Sequence, residues 1–140
     1  MRLKLKFSDK HSKDDDKYLY EQLKKHNSEI IKRDNEPVSL YYKDENGEII
    51  AGLTGKTQWG SLLIEILWVH QNYRSRSLGA KLLAKAESIA QERKCQTMVV
   101  ETMGFQAKAF YQKNDFKVFG AVENTNPKLN CFYMKKDLSL

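Results

Sequence analysis

Residues 61–80, with the sequence SLLIEILWVHQNYRSRSLGA, predict an apolar strand that runs into a short loop rich in Arg, Ser and Gly. The loop opens a helix, because apolar residues recur at helical spacing on one face: Leu78, Leu82, Ala86, Ile89 and Ala90. Ser77 is the predicted N-cap. Unpaired N–H groups at the positive end of this helix, beside two arginines, suit a phosphate or pyrophosphate. We therefore expect a phosphorylated cofactor to bind at this loop.

The composition indicates one domain over residues 1–140. The 24 basic and 18 acidic residues give a net charge of +6. Because charges of both signs are interspersed, we expect a solvated surface with one anion site, and no nucleic-acid partner. With no run of 18 apolar residues and no secretion signal in residues 1–7, we expect no membrane partner and a cytoplasmic location. Cys95 and Cys131 are too few for a metal cluster, and we expect reduced, structural thiols and no metal site.

Local patterns predict an α/β (α+β) domain of about seven strands and three or four helices. A short strand is expected over residues 2–7. A helix is expected after the acidic Asp14–Asp16, because four residues at helical spacing share one face: Leu19, Leu23, His26 and Ile30. Asn46-Gly47 predicts a β-hairpin, and the nearby Gly52 and Gly55 predict a bend or bulge. The later elements are strands at 97–102, 117–120 and 130–135 and helices at about 78–93 and 106–113.

Two blocks of the sequence resemble the GCN5-related N-acetyltransferase (GNAT) superfamily. Val69–Leu83 is similar to the family's acetyl-CoA loop, [QR]-x-x-G-x-[GA], and Ala107–Phe116 is similar to its A-x-x-x-Y-x-x-x-G-F block. The blocks occur in the family's order, about 30 residues apart, with a strand between them. The resemblance covers residues 38–136. It implies a mixed, mostly antiparallel central sheet with helices on both faces, a strand splayed at the cofactor site, and acetyl-CoA as co-substrate.

Two residues depart from the family's pattern. Ser77 and Asp115 each stand where a glycine is usual. The Cβ of Ser77 could crowd the pyrophosphate or force a different φ. Aspartate tolerates left-handed backbone better than most residues, so Asp115 could make its turn at some strain. These departures leave a second function open, that of a non-catalytic acyl-CoA binding or sensing module.

The resemblance implies a set of cofactor-binding residues. Main-chain groups of Leu67, Trp68 and Val69 would pair with the pantetheine amides. N–H groups of the following loop would hold the pyrophosphate, and its residues are Arg74, Ser75, Arg76, Ser77, Leu78, Gly79 and Ala80. The two arginine side chains could add charge beside the phosphates; the alternative is that both are solvated surface residues.

For catalysis, the resemblance implies that Tyr111 is the general acid for the leaving thiolate, a feasible proton transfer from a phenol of ordinary pKa. Glu65 is the expected base, because a lone charge among apolar neighbours can have a raised pKa. It could instead bind the substrate amine or pair with a lysine, and ordered water could be the base. His70 could also serve, or lie at the loop surface. Alternation predicts two faces of the strand, one with Leu63, Glu65, Leu67 and Val69 and the other with Ile64, Ile66 and Trp68.

The acceptor implied by the resemblance is the primary amine of a small molecule, which attacks acetyl-CoA directly. A protein lysine or N-terminus is the alternative. Candidate acceptor-binding residues, for which core packing is an equal account, are Tyr41, Tyr42, Trp59, Phe105 and 123–130. The apolar C-terminal strands could pair across a homodimer or be buried within one chain.

Overall fold

The computed structural model describes residues 2–139 as two compact units that divide after Arg33. In the first unit, α1 (Lys13–Ile30) begins at Ser12, whose side chain accepts a hydrogen bond from the backbone N–H of Asp15 at 3.3 Å. The predicted helix is confirmed. The predicted strand at 2–7 is wrong, because residues 2–33 contain no other strand with which it could pair. The single domain over residues 1–140 stays a prediction.

The second unit is built on a six-stranded sheet. The strands are β1 (Glu36–Lys43), β2 (Ile49–Gln58), β3 (Ser61–Val69), β4 (Thr97–Met103), β5 (Lys117–Val122) and β6 (Cys131–Asp137). Their order across the sheet is β1-β2-β3-β4-β6-β5, and every pair is antiparallel except β3 with β4. The mixed, mostly antiparallel sheet is thus confirmed, with six strands rather than about seven.

Two helices pack against this sheet's core. α2 (Leu78–Glu92) connects β3 to β4, and α3 (Lys108–Lys113) precedes β5. The predicted apolar face of α2 is confirmed, since Leu82, Ala86 and Ala90 are buried. They join a core whose fully buried members include Leu53, Leu62, Met98, Met134 and Cys95. None of the described helices has the length and apolar character needed to cross a membrane.

A tight turn joins β1 to β2, as predicted. The side-chain Oδ1 of Asp44 accepts hydrogen bonds from the backbone N–H groups of Asn46 and Glu48, at 2.9 and 3.0 Å. Gly47 has a φ of +80°, which favours glycine. The hairpin aligns β2 beside β3, the strand that carries the site.

A β-bulge interrupts β3 at Glu65. Thr54 pairs with Ile66 and Gly55 pairs with Ile64, so Glu65 has no partner on β2. A Cβ at Gly55 would lie 2.2 Å from the carbonyl oxygen of Leu63, so only glycine fits this close approach. The predicted bend or bulge near Gly52 and Gly55 is confirmed.

The bulge changes which side chains of β3 face the core. Leu62 and Ile64 are buried before it, whereas Leu67 and Val69 pack against the core after it. The predicted division of the strand into two faces is therefore wrong. An inserted residue shifts the two-residue period by one, and strict alternation cannot anticipate it.

The parallel pairing of β3 with β4 ends at the same place. It runs from Ser61 with Thr97 to Ile64 with Val100, and β4 continues along β6 as far as Met103. Residues 65–69 are therefore unpaired on the side facing β4. This splay opens a space between the two strands.

Candidate active site

A cavity of about 780 Å³ lies between the end of β3, the loop before α2, and α3. It is lined by nearly all of the predicted cofactor-binding residues: Leu67, Trp68, Val69, Arg74, Ser75, Ser77, Leu78, Gly79 and Ala80. Lining residues outside that predicted set are Tyr73, Phe105, Gln106, Ala107, Phe110, Tyr111 and Lys113. The volume is within the range of small-molecule and cofactor sites.

The loop offers a row of unpaired N–H groups to this cavity. Among residues 2–139, the backbone N–H groups of residues 75–80 have no hydrogen-bond partner. Ser75 and Ser77 both have left-handed backbone, with φ of +69° and +60°. Loops of this kind form concave anion sites, and the following helix adds a positive end. The loop therefore fits a phosphate or pyrophosphate group, as predicted for a phosphorylated cofactor.

Ser77 is the N-cap of α2, as predicted, but its side chain makes no capping hydrogen bond. Its φ of +60° is the conformation that glycine would adopt with least strain. Serine thus holds this left-handed conformation at the cost of some strain.

The two arginines differ in position. Nε of Arg74 donates to the carbonyl oxygen of Val69 at 3.1 Å, and Arg74 lines the cavity. The guanidinium of Arg76 lies 5.0 Å from the centre of the Tyr73 ring, and Arg76 is not among the lining residues. A second cation comes instead from Lys113 on α3. Arg74 and Lys113 are thus the basic residues at the cavity.

Gly79 lets α2 approach α3 closely. A Cβ at Gly79 would lie 2.9 Å from Cζ of Phe110, a contact that would force the ring to move. Phe110 in turn lies against Tyr111, with ring centres 5.3 Å apart. The glycine therefore helps to set the position of the predicted general acid.

Tyr111 is held firmly by its surroundings. Only 5% of the residue is exposed, and its ring also meets Phe116 edge to face at 5.4 Å. Among residues 2–139, its hydroxyl has no hydrogen-bond partner. Burial raises the pKa of Tyr111 to about 12. The phenol is thus a protonated, unengaged donor at neutral pH.

A second cavity, of about 250 Å³, occupies the splay between β3 and β4. Its polar lining consists of Glu65, Glu101, Thr102, Gln106 and Tyr111. Four residues line both cavities: Leu67, Gln106, Ala107 and Tyr111. Tyr111 therefore stands where the two cavities meet. Glu65 is exposed rather than enclosed by apolar neighbours, contrary to the strand pattern.

Glu101 was not predicted as a site residue. It lies on β4, and its Oε1 accepts a hydrogen bond from Sγ of Cys131 at 3.3 Å. The signal in the sequence is that Glu101 ends an apolar run, as Glu65 interrupts one. Cys131, expected to be merely structural, therefore contacts a residue that lines the second cavity.

The other candidates lie elsewhere. Nδ1 of His70 accepts from the N–H of Asn72 at 3.0 Å, and His70 lines neither cavity. Phe105 lines the larger cavity. Four other candidates for acceptor binding line neither: Tyr41, Tyr42, Trp59 and 123–130. Within the described part of the chain, no cluster of three His, Cys, Asp or Glu residues could hold a metal ion.

This chain is similar in sequence and fold to known proteins. The model of the acetyltransferase (GNAT) family matches residues 3–116. Blasticidin-S acetyltransferase from Streptomyces morookaense is 35% identical over 104 residues, which cover 74% of this chain and 76% of that protein. A crystal structure of an acetyltransferase from Bacillus cereus has a TM-score of 0.82 at 30% identity, covering 95% and 98% of the two chains. A second structure, from Agrobacterium tumefaciens, has a TM-score of 0.90 at 23% identity, covering 97% and 100%, and shows the fold alone.

Proposed function

We propose, from the premise that this chain belongs to the acetyltransferase (GNAT) family and is an N-acetyltransferase, that it transfers the acetyl group of acetyl-CoA to the primary amine of a small molecule. The transfer is a direct attack, without an acetyl-enzyme. One observation carries this proposal. The unengaged hydroxyl of Tyr111 stands where a cofactor-sized cavity meets a smaller, acidic one.

The larger cavity fits the co-substrate. The N–H groups of residues 75–80 would hold the pyrophosphate, with Arg74 and Lys113 beside it. The main chain of residues 67–69, which has no strand partner on the side of β4, would bind the pantetheine amides. The carbonyl of Val69 already accepts from Nε of Arg74. Acetyl-CoA supplies an activated acetyl group on sulfur, so the chain itself must orient the partners and manage protons.

Tyr111 stabilises the leaving thiolate. Its pKa of about 12 lies well above that of an ordinary thiol, about 8.5, so complete proton transfer in the resting site is unfavourable. The hydroxyl donates a hydrogen bond to the sulfur as negative charge develops there, which is where such a bond accelerates the reaction. The thiolate then takes a proton from solvent, which balances the proton that the amine loses to Glu65 or water.

Glu65 receives the proton of the attacking amine, directly or through water. It lies at the bulge of β3 and lines the smaller cavity together with Tyr111. An amine seated there would have the carboxylate on one side and the thioester on the other. Because Glu65 is exposed, water can relay the proton to solvent.

The acceptor is a small molecule, and the amine end of such a molecule fits the cavity beside Glu65. A volume of about 250 Å³ admits the reacting end of a metabolite or antibiotic. The related Streptomyces protein is named for acetylation of blasticidin S, which supports the same class of acceptor. A protein lysine is the alternative acceptor.

The proposal includes the location of the protein in the cell. Cys95 and Cys131 are free thiols, which supports a reducing, cytoplasmic location.

The edge strand β5 exposes Val118, Phe119 and Val122, which supports pairing with a second copy in a homodimer. Light scattering of the purified protein measures the assembly directly.

The experiment incubates the protein with acetyl-CoA and a panel of small primary amines and follows thiol release, with mass spectrometry of the products. We expect acetylated amine to form. The Tyr111→Phe variant should release the thiol of coenzyme A much more slowly than the wild type. The competing function is an acyl-CoA sensor, motivated by Ser77 and Asp115. Acetyl-CoA binding without turnover of any amine, and no effect of Tyr111→Phe, would favour the sensor.

A further inference from the structure

Two carboxylates lie at the fork between β3 and β4. Ile64 and Val100 form the last parallel pair, and Glu65 and Glu101 are the residues that follow on each strand. Both line the smaller cavity. Like charges at neighbouring positions of adjacent strands repel each other, so this arrangement costs stability when the cavity contains only water.

Nothing in the described structure neutralises this pair. No Lys, Arg or His is among the residues that line the smaller cavity. Neither glutamate belongs to a salt bridge within residues 2–139. The hydrogen bond that Glu101 accepts comes from the thiol of Cys131, which brings no charge. The cavity is therefore negative within a chain whose net charge is +6.

Tyr111 brings a polar group of another kind to the same cavity. It is 5% exposed, lines the same cavity, and has no hydrogen-bond partner for its hydroxyl within the described residues. The hydroxyl oxygen keeps accessible surface, so it is free to bond to a ligand in this cavity. The carboxylates and the phenol together describe a site for a cation that carries a reacting group.

A single ammonium would not explain both carboxylates. The attacking amine must lose its proton before it can form the amide bond, so the reacting nitrogen is neutral at that step. One carboxylate can take that proton. The other carboxylate is neutralised only by a positive charge that persists through the reaction. A second cationic group on the acceptor would supply this charge.

We propose that Glu101 is a specificity determinant that binds a second cationic group of the acceptor. The preferred substrate is then a small dication, with the amine to be acetylated and, a few bonds away, another ammonium, amidinium or guanidinium group. This inference rests on the proposed function and narrows its substrate class. Glu65 faces the reacting amine, and Glu101 holds the end that stays charged.

The test compares two amines of equal length, 1,5-diaminopentane and 5-aminopentan-1-ol, as acceptors. We expect kcat/KM for the diamine to exceed that for the amino alcohol by about tenfold or more, the size of one charge-assisted hydrogen bond. Glu101→Gln keeps an acceptor for the thiol of Cys131 but removes the charge, and should bring this ratio, counted per amino group, close to one. Glu92→Gln removes the same charge at the end of α2, outside both cavities, and should leave the ratio unchanged.

Calorimetry of the coenzyme A-saturated protein with the same two amines separates this inference from the proposed function. If neither amine is acetylated but the diamine binds the wild type more tightly than Glu101→Gln, the cation site stands and the proposed function fails. If both amines react equally well and Glu101→Gln does not alter their ratio, the inference is overturned while the function stands. Absence of both turnover and any difference in binding also overturns it.

Discussion

The backbone N–H of Phe116 donates to the carbonyl oxygen of Tyr111 at 3.0 Å, and the two rings pack edge to face at 5.4 Å. With the hydrogen bond from the N–H of Asp115 to the carbonyl oxygen of Gln112, these contacts form a Schellman motif at the end of α3. Asp115 occupies its left-handed position with a φ of +69°. These contacts end the six-residue helix that carries Tyr111, the proposed hydrogen-bond donor to the thiolate.

Asp115→Gly should stabilise the protein. Glycine adopts the left-handed conformation without strain, and the change also removes an acidic group from the end of a helix. We expect the free energy of unfolding in urea to rise by about 0.5–1 kcal/mol. Asp115→Asn is the matched control, since it removes the charge alone. If Asn gives the whole gain, backbone strain is not the cause.

Ser77→Gly should leave coenzyme A affinity intact or improve it. Ser77 has a φ of +60° and no side-chain cap to lose, so glycine relieves strain and clears the loop. Calorimetry with coenzyme A measures the dissociation constant, and Ser75→Gly, at the other left-handed position, is the comparison. A tenfold or greater loss of affinity in Ser77→Gly would mean that the serine hydroxyl itself binds the cofactor.

Arg74→Ala should weaken coenzyme A binding more than Arg76→Ala. Arg74 lines the cavity and is anchored on the carbonyl of Val69, whereas Arg76 lies over Tyr73. We expect the loss in Arg74→Ala to shrink as salt rises from 0.05 to about 0.5 M, because salt already screens the contact in the wild type. Equal losses in the two variants would show that the loop rearranges on binding.

Because of Tyr111, the stability of the protein should fall as the pH rises above 10. Burial raises its pKa from the ordinary 10 to about 12, so between these values the folded state keeps a proton that the unfolded state has lost. This shift contributes up to about 3 kcal/mol to the free energy of unfolding. The contribution is complete below pH 10 and is lost as pH rises through 12.

Denaturant unfolding of wild type and Tyr111→Phe between pH 9 and 11.5 measures this effect. The difference between the two proteins isolates Tyr111 from lysines and other tyrosines. The wild type should lose stability faster than the variant as pH rises above 10. Parallel curves would place the pKa of Tyr111 near its ordinary value.

Much of the fold was predictable from local patterns. The bounds of β3 agree with the predicted 61–69, and α2 ends one residue before the predicted 93. These elements have strong periodicity and clear ends. Residues 2–7 show equally regular alternation but form no strand, because a strand requires a hydrogen-bonding neighbour that the pattern cannot provide.

The residues that line the larger cavity were predictable where they lie in a contiguous motif. The loop before α2 and Tyr111 both line the cavity that the resemblance implied. Glu101 was missed because its importance comes from the splay of β3 from β4, which brings it into the same cavity as Glu65. The bulge beside this splay depends on Gly55 approaching Leu63 across the sheet, a contact between residues that are not neighbours in the sequence.

The central claim is that Tyr111 assists acetyl transfer at the meeting point of the two cavities. Its most direct test is kcat for an accepted amine, together with the dissociation constant for acetyl-CoA, in the wild type and Tyr111→Phe. The account predicts that kcat falls by about 100-fold or more while the dissociation constant changes less than about threefold. An unchanged kcat in Tyr111→Phe would contradict it.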